Sequence, residues 1–379
     1  YACERPITKE YLVSVGANSK VNVAVIGLGW PGQRHLEGYS KLPFVNVAAI
    51  CDMSESLLMS THARFPVETA TTDYQSILAR PDIDAVSICL PNWLHAPISI
   101  EAIRAGKHVL CEKPLANTLT EGERLTAAVH ASDRIFMLAL NNRFRVEIQS
   151  LKRIIDAGTL GDIYYTKTGW VRRRWAGTVR GWFMEKEKSG GGPLIDLGVH
   201  MLDLALWLMG SPKATRVSGV VYDRLAKEME PLLGALDIED LGAAMIHLDN
   251  GAAIYLETSW GGYIEREHIF TELLGTRGGA KYERWGREAP TGQPVPPFQL
   301  FTTVADEQIN AIPTHIILSP EEMLLASFEN EMRHFAECVR DNAQPIATVD
   351  QGLEILRILD AIYRSGAEGR EIALQPSTV

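Results

Sequence analysis

A chain of 379 residues is long enough for two domains at a typical domain size of about 150 residues. Its hydrophobic content of 46% and charged content of 22% are ordinary for a globular protein whose core can enclose a cofactor. The net charge of −10 argues against nucleic acid or an anionic membrane as a general partner, and no apolar run approaches the ~18 residues of a membrane span.

The N-terminal residues 1–20 lack the apolar core of a signal peptide, and we expect them to form an extended arm. The cysteines include no Cys-x-x-Cys pair, and no His-x-x-x-His spacing suggests zinc, so no metal site is expected. Free thiols in the cytoplasm are the simpler interpretation. The five cysteines comprise three near predicted strand ends, one in the arm and one on a C-terminal helix: Cys51, Cys89, Cys111, Cys3 and Cys338.

The first regular element lies in residues 21–36, which read VNVAVIGLGWPGQRHL. The small and β-branched residues at 21–26 predict a buried parallel strand, and a helix is expected from about Pro31. Between them, glycines follow the spacing G-x-G-x-x-G, which allows a tight turn, a close approach of pyrophosphate and close packing of the helix. The free N–H groups of the helix also favour phosphate. The cofactor contacts predicted in this loop are Gly27, Leu28, Gly29, Trp30 and Gly32.

A second apolar strand, at 45–50, is followed by Asp52, 20 residues beyond Gly32. A carboxylate at this position can accept both ribose hydroxyls of NAD. It would repel the 2′-phosphate of NADP, and Met53 offers no cation to hold that phosphate, so we predict NAD rather than NADP. The alternative is that Asp52 only caps a helix beginning near Ser54.

Strands and helices continue to alternate up to residue 140, which predicts a doubly wound parallel sheet. Helices are predicted at 54–65, 72–78, 98–105 and 120–131, and strands at 67–68, 83–90, 108–111 and 135–140. Functional residues collect at the carboxyl ends of such strands. In this chain those ends read GLGWPG, CD, PNWLH, CEKP and NNRF.

The pattern changes near residue 141, so we expect an NAD-binding domain at 21–140 and a second domain at 141–379. After a helix at 147–157, strands without intervening helical patterns are predicted at 163–171, 214–222, 241–248, 252–259 and 268–274. Turn signals such as Asn250-Gly251 favour hairpins, so we predict an antiparallel meander. The proline-rich residues 284–320 are expected to run over the surface, before helices near 321–341 and 350–366.

The strand predicted at 108–111 ends in Glu112-Lys113-Pro114, beside the expected cofactor cleft. A partly buried lysine at such a strand end can donate or relay a proton. A cis bond before Pro114 would aim Lys113 into the cleft. The alternative is a surface lysine on an ordinary turn.

Residues 189–210 read SGGGPLIDLGVHMLDLALWLMG and predict an apolar helix that ends at Gly210. Asp196 and His200 are spaced i,i+4, so on a regular helix they share one face. A histidine is suited to exchange a proton near neutral pH, and a carboxylate one turn away can orient it. The alternatives are a core histidine with Asp196 as a cap, or Asp203 as the partner of His200.

In chain order, the segments GLGWPG with Asp52, PNWLH, CEKP, NNRF and GGGPLIDLGVHMLD resemble the glucose–fructose oxidoreductase, inositol dehydrogenase and rhizopine-catabolism family. The resemblance implies a Rossmann domain followed by an α/β domain with a large open, mostly antiparallel sheet, and the nicotinamide ring at their junction. It further implies NAD as cofactor and hydride transfer to or from a hydroxyl carbon of a sugar, glycoside or cyclitol.

The resemblance also assigns roles to single residues. Lys113 matches a lysine that contacts substrate and assists proton transfer, and Asp196 and His200 match a pair in which the histidine is the base. Arg143 matches a residue of the ring pocket and is predicted to contact substrate. Further predicted cofactor contacts are Pro91, Asn92, His95, Glu112, Lys113 and Asn141.

Two other kinds of function stay open at this point. A redox-assisted glycosidase or lyase would oxidise its substrate transiently and regenerate NAD in every cycle. A nicotinamide-binding regulator without turnover has no need of a base, so the presence of Lys113, Asp196 and His200 argues against it.

A basic and aromatic segment, VRRRWAGTVRGWF at 171–183, precedes the glycine run. Arginine forks suit carboxylate or phosphate, and tryptophan faces stack on sugar rings, so Arg172 and Trp175 are predicted to contact substrate. The alternative is that these arginines pair with Glu185 and Glu187 or with a neighbouring subunit.

The strands of the second domain carry apolar residues at alternating positions, and the helices are too few to cover both faces of their sheet. An exposed face of this kind is usually covered by a second copy of the chain. We therefore predict a homo-oligomer, and the family resemblance points to a dimer or a tetramer.

Overall fold

The structure, a computed structural model, describes residues 20–174, 181–233, 236–285, 296–314, 316 and 318–375. Its first sheet has six parallel strands in the order β3-β2-β1-β4-β5-β6, which confirms the predicted doubly wound sheet. The strands are β1 (Val21–Ile26), β2 (Val45–Cys51), β3 (Thr69–Thr71), β4 (Ala85–Ile88), β5 (His108–Glu112) and β6 (Phe136–Ala139). The helices are α1 (Trp30–Ser40), α2 (Glu55–Arg64), α3 (Tyr74–Leu78), α4 (Asn92–Arg104) and α5 (Leu119–His130).

Two boundaries in this sheet differ from the prediction. The helix expected at 98–105 begins at Asn92, because Pro91 has the extended backbone of an N-cap and Pro97 is tolerated inside the helix. The short strand expected at 67–68 lies at Thr69–Thr71, where it pairs with the end of β2. Only the second difference depends on strand pairing, which local composition does not reveal.

The second sheet has nine strands within the described residues, in the order β14-β13-β12-β11-β7-β10-β9-β8-β15. Its strands are β7 (Ile163–Arg173), β8 (Ala214–Tyr222), β9 (Leu241–Leu248), β10 (Ala253–Gly262), β11 (His268–Gly275), β12 (Gly278–Trp285), β13 (Gln299–Val304), β14 (Glu307–Ala311) and β15 (Ile372–Ala373). Its helices are α6 (Val146–Asp156), α7 (Lys186–Ser189), α8 (Val199–Leu208), α9 (Arg224–Leu233), α10 (Pro320–Asp341) and α11 (Val349–Glu368).

This sheet is mostly antiparallel, as expected, but it is not a simple meander. The first strand, β7, lies in the middle of the sheet, parallel to β10 and antiparallel to β11. The expected surface excursion at 284–320 contains β13 and β14, joined through Ala305 and Asp306 at φ 51° and 66°. This turn contains no glycine or asparagine, so the usual hairpin signal is missing.

The two faces of the second sheet are not equally covered. Helix α11 packs directly on β8, where a Cβ placed on Gly219 would come within 3.0 Å of Ile362. On the opposite face, the strand register places Val220, Leu274 and Phe301, which are exposed by 44%, 44% and 36%. One face of the sheet therefore remains open in the single chain.

Helix α10 connects the second sheet to the first. It crosses α1 at Gly38, where an added Cβ would lie 2.7 Å from Cγ of Met332. No helix among the described residues has the length and apolar character needed to cross a membrane. The cysteines at 51, 89, 111 and 338 are buried and free, whereas Cys3 and the rest of the predicted arm lie outside the described residues.

Candidate active site

Lys113 and Asp196 meet where β5 ends against the second sheet. The Nζ of Lys113 lies 3.0 Å from Oδ1 of Asp196 and 3.1 Å from the Asp196 carbonyl oxygen, although the two residues are 83 positions apart. The Lys113–Pro114 peptide bond is cis, as the sequence suggested. Both side chains are largely buried, so this ion pair joins the two parts of the chain at the predicted cleft.

Asp196 lies in a π-helical turn, Leu194–Gly198, that leads into α8. Its second carboxylate oxygen accepts a hydrogen bond from Nε1 of Trp260 at 3.1 Å and lies 3.9 Å from Nη1 of Arg172. Burial disfavours the charge on this carboxylate, but Lys113 and Arg172 outweigh burial and lower the pKa of Asp196. Asp196 is therefore an anion held between two cations.

His200 lies on the first turn of α8, with its ring centre 6.1 Å from that of Trp170. Its Nδ1 is buried and has no hydrogen-bond partner among the described residues. Burial, together with the positive charge of Lys113, lowers the pKa of His200 to about 3. The imidazole is consequently neutral near physiological pH.

The expectation that Asp196 orients the ring of His200 is wrong for this structure. The oxygens of Asp196 are taken by Lys113 and Trp260, and Nδ1 of His200 stays unpartnered in the described part of the chain. The competing candidate, Asp203, is also engaged elsewhere, because it pairs with Arg143. The i,i+4 spacing failed as a guide because Asp196 lies in a π turn rather than in a regular α-helix.

Arg143, predicted to contact substrate, lies instead in a buried network. Its guanidinium donates to both oxygens of Asp203, to the carbonyl of Ile346 and to Oε1 of Gln351, and its side chain is 1% exposed. All three of its nitrogens are therefore used to hold the protein together. The structure does not retain Arg143 as a substrate contact.

Glu112 supports the backbone of Lys113 from behind. Its Oε2 accepts the Lys113 N–H at 3.1 Å, and its Oε1 lies 3.2 Å from Nε2 of His35 on α1. Burial alone would raise the pKa of Glu112, but the contact with His35 outweighs burial and lowers it. Sequence reasoning missed His35, since a buried histidine on a helix gives no signal of its partner.

The PNWLH segment makes contacts within the protein. Nδ2 of Asn92 donates to the carbonyl of Ser189 at 2.7 Å, which ties α4 to α7. The two ring nitrogens of His95 lie 2.6 Å from the Pro114 carbonyl and 2.7 Å from the Leu90 carbonyl. His95 therefore braces the turn after Lys113, and its expected direct contact with the cofactor is not supported, because both nitrogens face backbone oxygens.

The glycine loop has the free space that a dinucleotide requires. A Cβ on Gly29 would meet no protein atom closer than 3.9 Å, whereas a Cβ on Gly32 would lie 2.0 Å from the Gly27 carbonyl oxygen. Gly29 is also the N-cap of α1 and supplies no side-chain cap, so the first N–H groups of the helix are available to phosphate. The residues present thus fit a pyrophosphate in front of Gly29.

Asp52 lies beside this loop as predicted. Its Oδ2 accepts the Leu28 N–H and its Oδ1 accepts the Ser54 N–H, both at 2.8 Å. The alternative that Asp52 only caps the helix is supported in part. Asp52 accepts the Ser54 N–H, but the side chain that caps α2 is that of Ser54, which accepts the Leu57 N–H. A carboxylate has about four acceptor positions, so Asp52 keeps capacity for ribose hydroxyls. The side chain of Trp30 is 59% exposed at the start of α1.

We expect Gly29→Val to weaken NADH binding by at least about 10-fold, because the new side chain would fill the space that phosphate needs and displace its hydrogen bonds. The thermal unfolding midpoint should stay close to that of the wild type, since the nearest atom to an added Cβ, the Cδ of Pro31, lies at an unstrained 3.9 Å. Gly32→Ala is the contrasting variant and should lower that midpoint. Fluorescence titration with NADH and thermal unfolding measure the two effects, and unchanged NADH affinity in Gly29→Val would contradict the assignment.

The basic segment after β7 is only partly described. Arg172 lies between Asp196 and Glu267, with its Nε 3.6 Å from Oε1 of Glu267, and its guanidinium packs over Trp170. Trp175 and Arg180 lie outside the described residues. In the described part, Glu185 pairs with Lys188, and the alternative that the arginines pair with Glu185 and Glu187 or with a neighbouring subunit stays a prediction.

Three functional neighbours could not be read from the sequence. Trp260 and Glu267 enter the site only because β10 and β11 flank β7, and Trp170 enters through the face of β7 that α8 covers. Their nearest site partners are far away in sequence, so neither a motif nor a spacing marks them. Only the register of the second sheet brings them to Asp196 and His200.

Two family descriptions match almost the whole chain. Residues 21–140 match the oxidoreductase family described by its NAD-binding Rossmann fold, and residues 152–374 match the C-terminal alpha/beta domain of the same family. Levoglucosan dehydrogenase in complex with NADH and levoglucosan has a similar structure, with a TM-score of 0.81 at 25% identity over 94% of this chain and 99% of that one.

Sequence comparison finds dehydrogenases that match most of this chain. D-glucoside 3-dehydrogenase of Escherichia coli is 28% identical over 373 residues, which is 95% of this chain and 99% of that protein. Levoglucosan dehydrogenase of Pseudarthrobacter phenanthrenivorans is 31% identical over 290 residues, 70% of this chain and 74% of that protein. With both domains matched, the chain belongs to the glucose–fructose oxidoreductase, inositol dehydrogenase and rhizopine-catabolism family of oxidoreductases.

Proposed function

We propose that the protein is an NAD-dependent dehydrogenase that transfers a hydride between the cofactor and a hydroxyl carbon of a sugar, glycoside or cyclitol. The observation that carries this proposal is the Lys113–Asp196 ion pair beside the neutral His200, at the edge of the sheet that bears the glycine loop. Relatives named glucoside, levoglucosan and inositol dehydrogenases support the substrate class. We also propose that the chain divides into functional domains at 21–140 and 141–379.

The residues at the junction divide the proton chemistry among them. Bound NAD supplies the hydride acceptor. His200 accepts the hydroxyl proton during oxidation, because its neutral imidazole has a free lone pair. Lys113 donates a hydrogen bond to the same hydroxyl oxygen and stabilises the negative charge that develops there. Asp196 accepts a hydrogen bond from the ammonium of Lys113 and holds it in place.

The test is a panel of sugars, glycosides and cyclitols incubated with NAD, followed by the absorbance of NADH. The proposal predicts stoichiometric NADH with at least one member and an oxidised, uncleaved product. A cleaved glycoside formed without net NADH would replace it with a redox-assisted glycosidase. Absence of any turnover with a broad panel, despite measurable NADH binding, would count against an enzyme of this class.

We propose that the enzyme prefers NAD to NADP. The carboxylate of Asp52 lies beside the glycine loop, and Met53 is 89% exposed and carries no charge. Asp52→Asn retains an acceptor for the Leu28 N–H but removes the negative charge. We expect it to lower kcat/KM with NAD by about 10-fold and to raise kcat/KM with NADP, since a charged hydrogen bond to ribose is lost. Wild-type efficiency with NADP equal to that with NAD would refute the preference.

We propose that the open face of the second sheet is covered by another copy of the chain, as a homodimer or within a homotetramer. The exposed Val220, Leu274 and Phe301 on that face support this. An isologous contact would bury such a face by two-fold symmetry. Val220→Asp combined with Leu274→Asp should dissociate the oligomer in sedimentation, and a wild type that sediments as a monomer at micromolar concentration would exclude it.

We also propose a cytoplasmic location. Support comes from the four described cysteines, which are all buried and free. Reduced thiols of this kind are typical of a reducing compartment.

A further inference from the structure

Arg284 lies on β12 on the same sheet face as the catalytic candidates. The register pairs Arg284 with Ile269 and Ile269 with Trp170, and side chains at directly paired positions point to the same face. The ring of Trp170 lies 6.1 Å from that of His200. Two strand spacings amount to about 10 Å, a distance that an arginine side chain can largely cover. The positive charge of Arg284 also contributes to the low pKa of His200.

The guanidinium of Arg284 has no carboxylate partner within the described residues. The guanidinium lies over the ring of Tyr282, whose centre is 5.8 Å away, and its Nε is buried without a hydrogen-bond partner in that part of the chain. Glu267, one of the two carboxylates whose charge acts on Arg284, is engaged by other groups. Glu267 accepts from Trp170 and lies close to Arg172.

A second arginine increases the positive charge at this place. Arg145 is fully buried, and its Nε donates to Glu147 at 2.5 Å. Its two terminal nitrogens have no hydrogen-bond partner in the described part of the chain. Burial lowers the pKa of Arg284, which is the sign of a cation that lacks enough negative charge around it. Glu147, whose charge acts on Arg284, already pairs with Arg145, and such an arrangement is costly unless a further anion completes it.

We propose that Arg284 binds a carboxylate of the substrate, so that the preferred substrate is a sugar acid rather than a neutral sugar. The planar guanidinium fork matches a carboxylate in two parallel hydrogen bonds. The cofactor phosphates do not supply this anion, because their proposed place is the N-terminus of α1 in the first sheet. Arg172 is a weaker candidate, since it already faces both Asp196 and Glu267. This inference rests on the proposed sugar dehydrogenase function.

The test is calorimetric binding of sugar acids to the enzyme–NADH complex. The probes are D-glucuronate, D-galacturonate and D-gluconate, each beside its neutral counterpart D-glucose, D-galactose or D-glucitol, with D-glucose 6-phosphate as a further anion. We expect at least one acid to bind at least about 10-fold more tightly than its neutral counterpart, the difference that a charged hydrogen-bonded pair provides. Equal affinity within every pair, or a preference for the phosphate, would overturn the proposal.

Variants connect that preference to the residue. Arg284→Gln should remove the preference for the acid over its neutral counterpart, and Arg284→Lys should keep part of that preference. The matched control is Arg216→Gln, which should bind the acids as the wild type does. Arg216 is an exposed arginine on β8, far from the site, and it pairs with Glu371. If Arg284→Gln folds poorly, Arg284→Lys still tests the proposal. Lysine has no planar fork, so a lysine variant that kept the full preference for the acid would contradict bidentate binding.

The outcome separates this inference from the proposed function. Binding of acids through Arg284 without NADH formation on any substrate would leave the carboxylate site standing and remove the dehydrogenase function. Oxidation of neutral sugars without any preference for acids would support the dehydrogenase function and remove the carboxylate site. Salt dependence supplies a further readout, because binding of the acid should weaken as ionic strength rises.

Discussion

Lys113→Met is expected to lower kcat by about 10²- to 10³-fold, the effect of removing one donor that stabilises a developing oxyanion. The variant keeps a long apolar side chain but loses the ammonium that lies 3.0 Å from Asp196. It should also raise KM, because the same ammonium contacts the hydroxyl oxygen before reaction. Steady-state kinetics with the best substrate of the panel measures both effects.

Lys152→Met is the matched control for this experiment. Lys152 on α6 is 19% exposed and pairs with Asp156, while Lys113 is 17% exposed and pairs with Asp196. Both variants therefore lose a lysine of similar exposure that forms an ion pair, but only one lies at the junction of the two sheets; Asp156 is 57% exposed and Asp196 is 15% exposed. If the two variants retained similar turnover, Lys113 would have a structural role. The proposed mechanism would then lack the donor that stabilises the negative charge on the hydroxyl oxygen.

The parts of the site that the sequence predicts are those fixed by short-range backbone geometry. One helix and one strand separate the glycine loop from Asp52, and the close contact between Gly32 and the Gly27 carbonyl oxygen follows from the turn itself. The position of Lys113 at a strand end is equally local, since alternating strands and helices place every such end at one edge of the sheet. These elements could be predicted without knowing any long-range pairing.

The partners of these residues could not be predicted, because they come from distant parts of the chain. Asp196 pairs with Lys113 across 83 positions and with Trp260 across 64, and Arg143 pairs with Asp203 across 60. Polar groups that become buried take whichever donor or acceptor the fold brings near. Sequence spacing proposes only the neighbours on the same helix, which is why it gave His200 the wrong partner.

Arg284 shows the same limit in another way. It falls in a stretch that begins the proline-rich residues expected on the surface, yet β12 carries it to the covered face of the sheet. Its importance depends on pairing with β11 and through it with β7. No local pattern around residue 284 distinguishes it from a surface arginine.

His200→Asn is expected to lower kcat by about 10²-fold or more, because the variant loses the neutral imidazole that accepts the hydroxyl proton. Asp196 is a poor substitute, since Lys113 and Arg172 lower its pKa and its oxygens accept hydrogen bonds from Lys113 and Trp260. NADH affinity should remain near that of the wild type. His247→Asn, on β9 of the second sheet, is the control and should keep full activity.

The pH dependence of kcat/KM tests the same assignment with a definite sign. An ordinary histidine titrates near pH 6.5, but burial and the charge of Lys113 bring His200 to about 3. The free enzyme should therefore show no loss of activity from His200 between about pH 8 and pH 5. Lys113→Met removes a positive charge beside the imidazole, so the pKa of His200 should rise and the acid limb should move to higher pH. The contradicting result is an acid limb centred near pH 6.5 in the wild type. If Lys113→Met left that limb unchanged and His200→Asn still showed it, His200 would be excluded as the base.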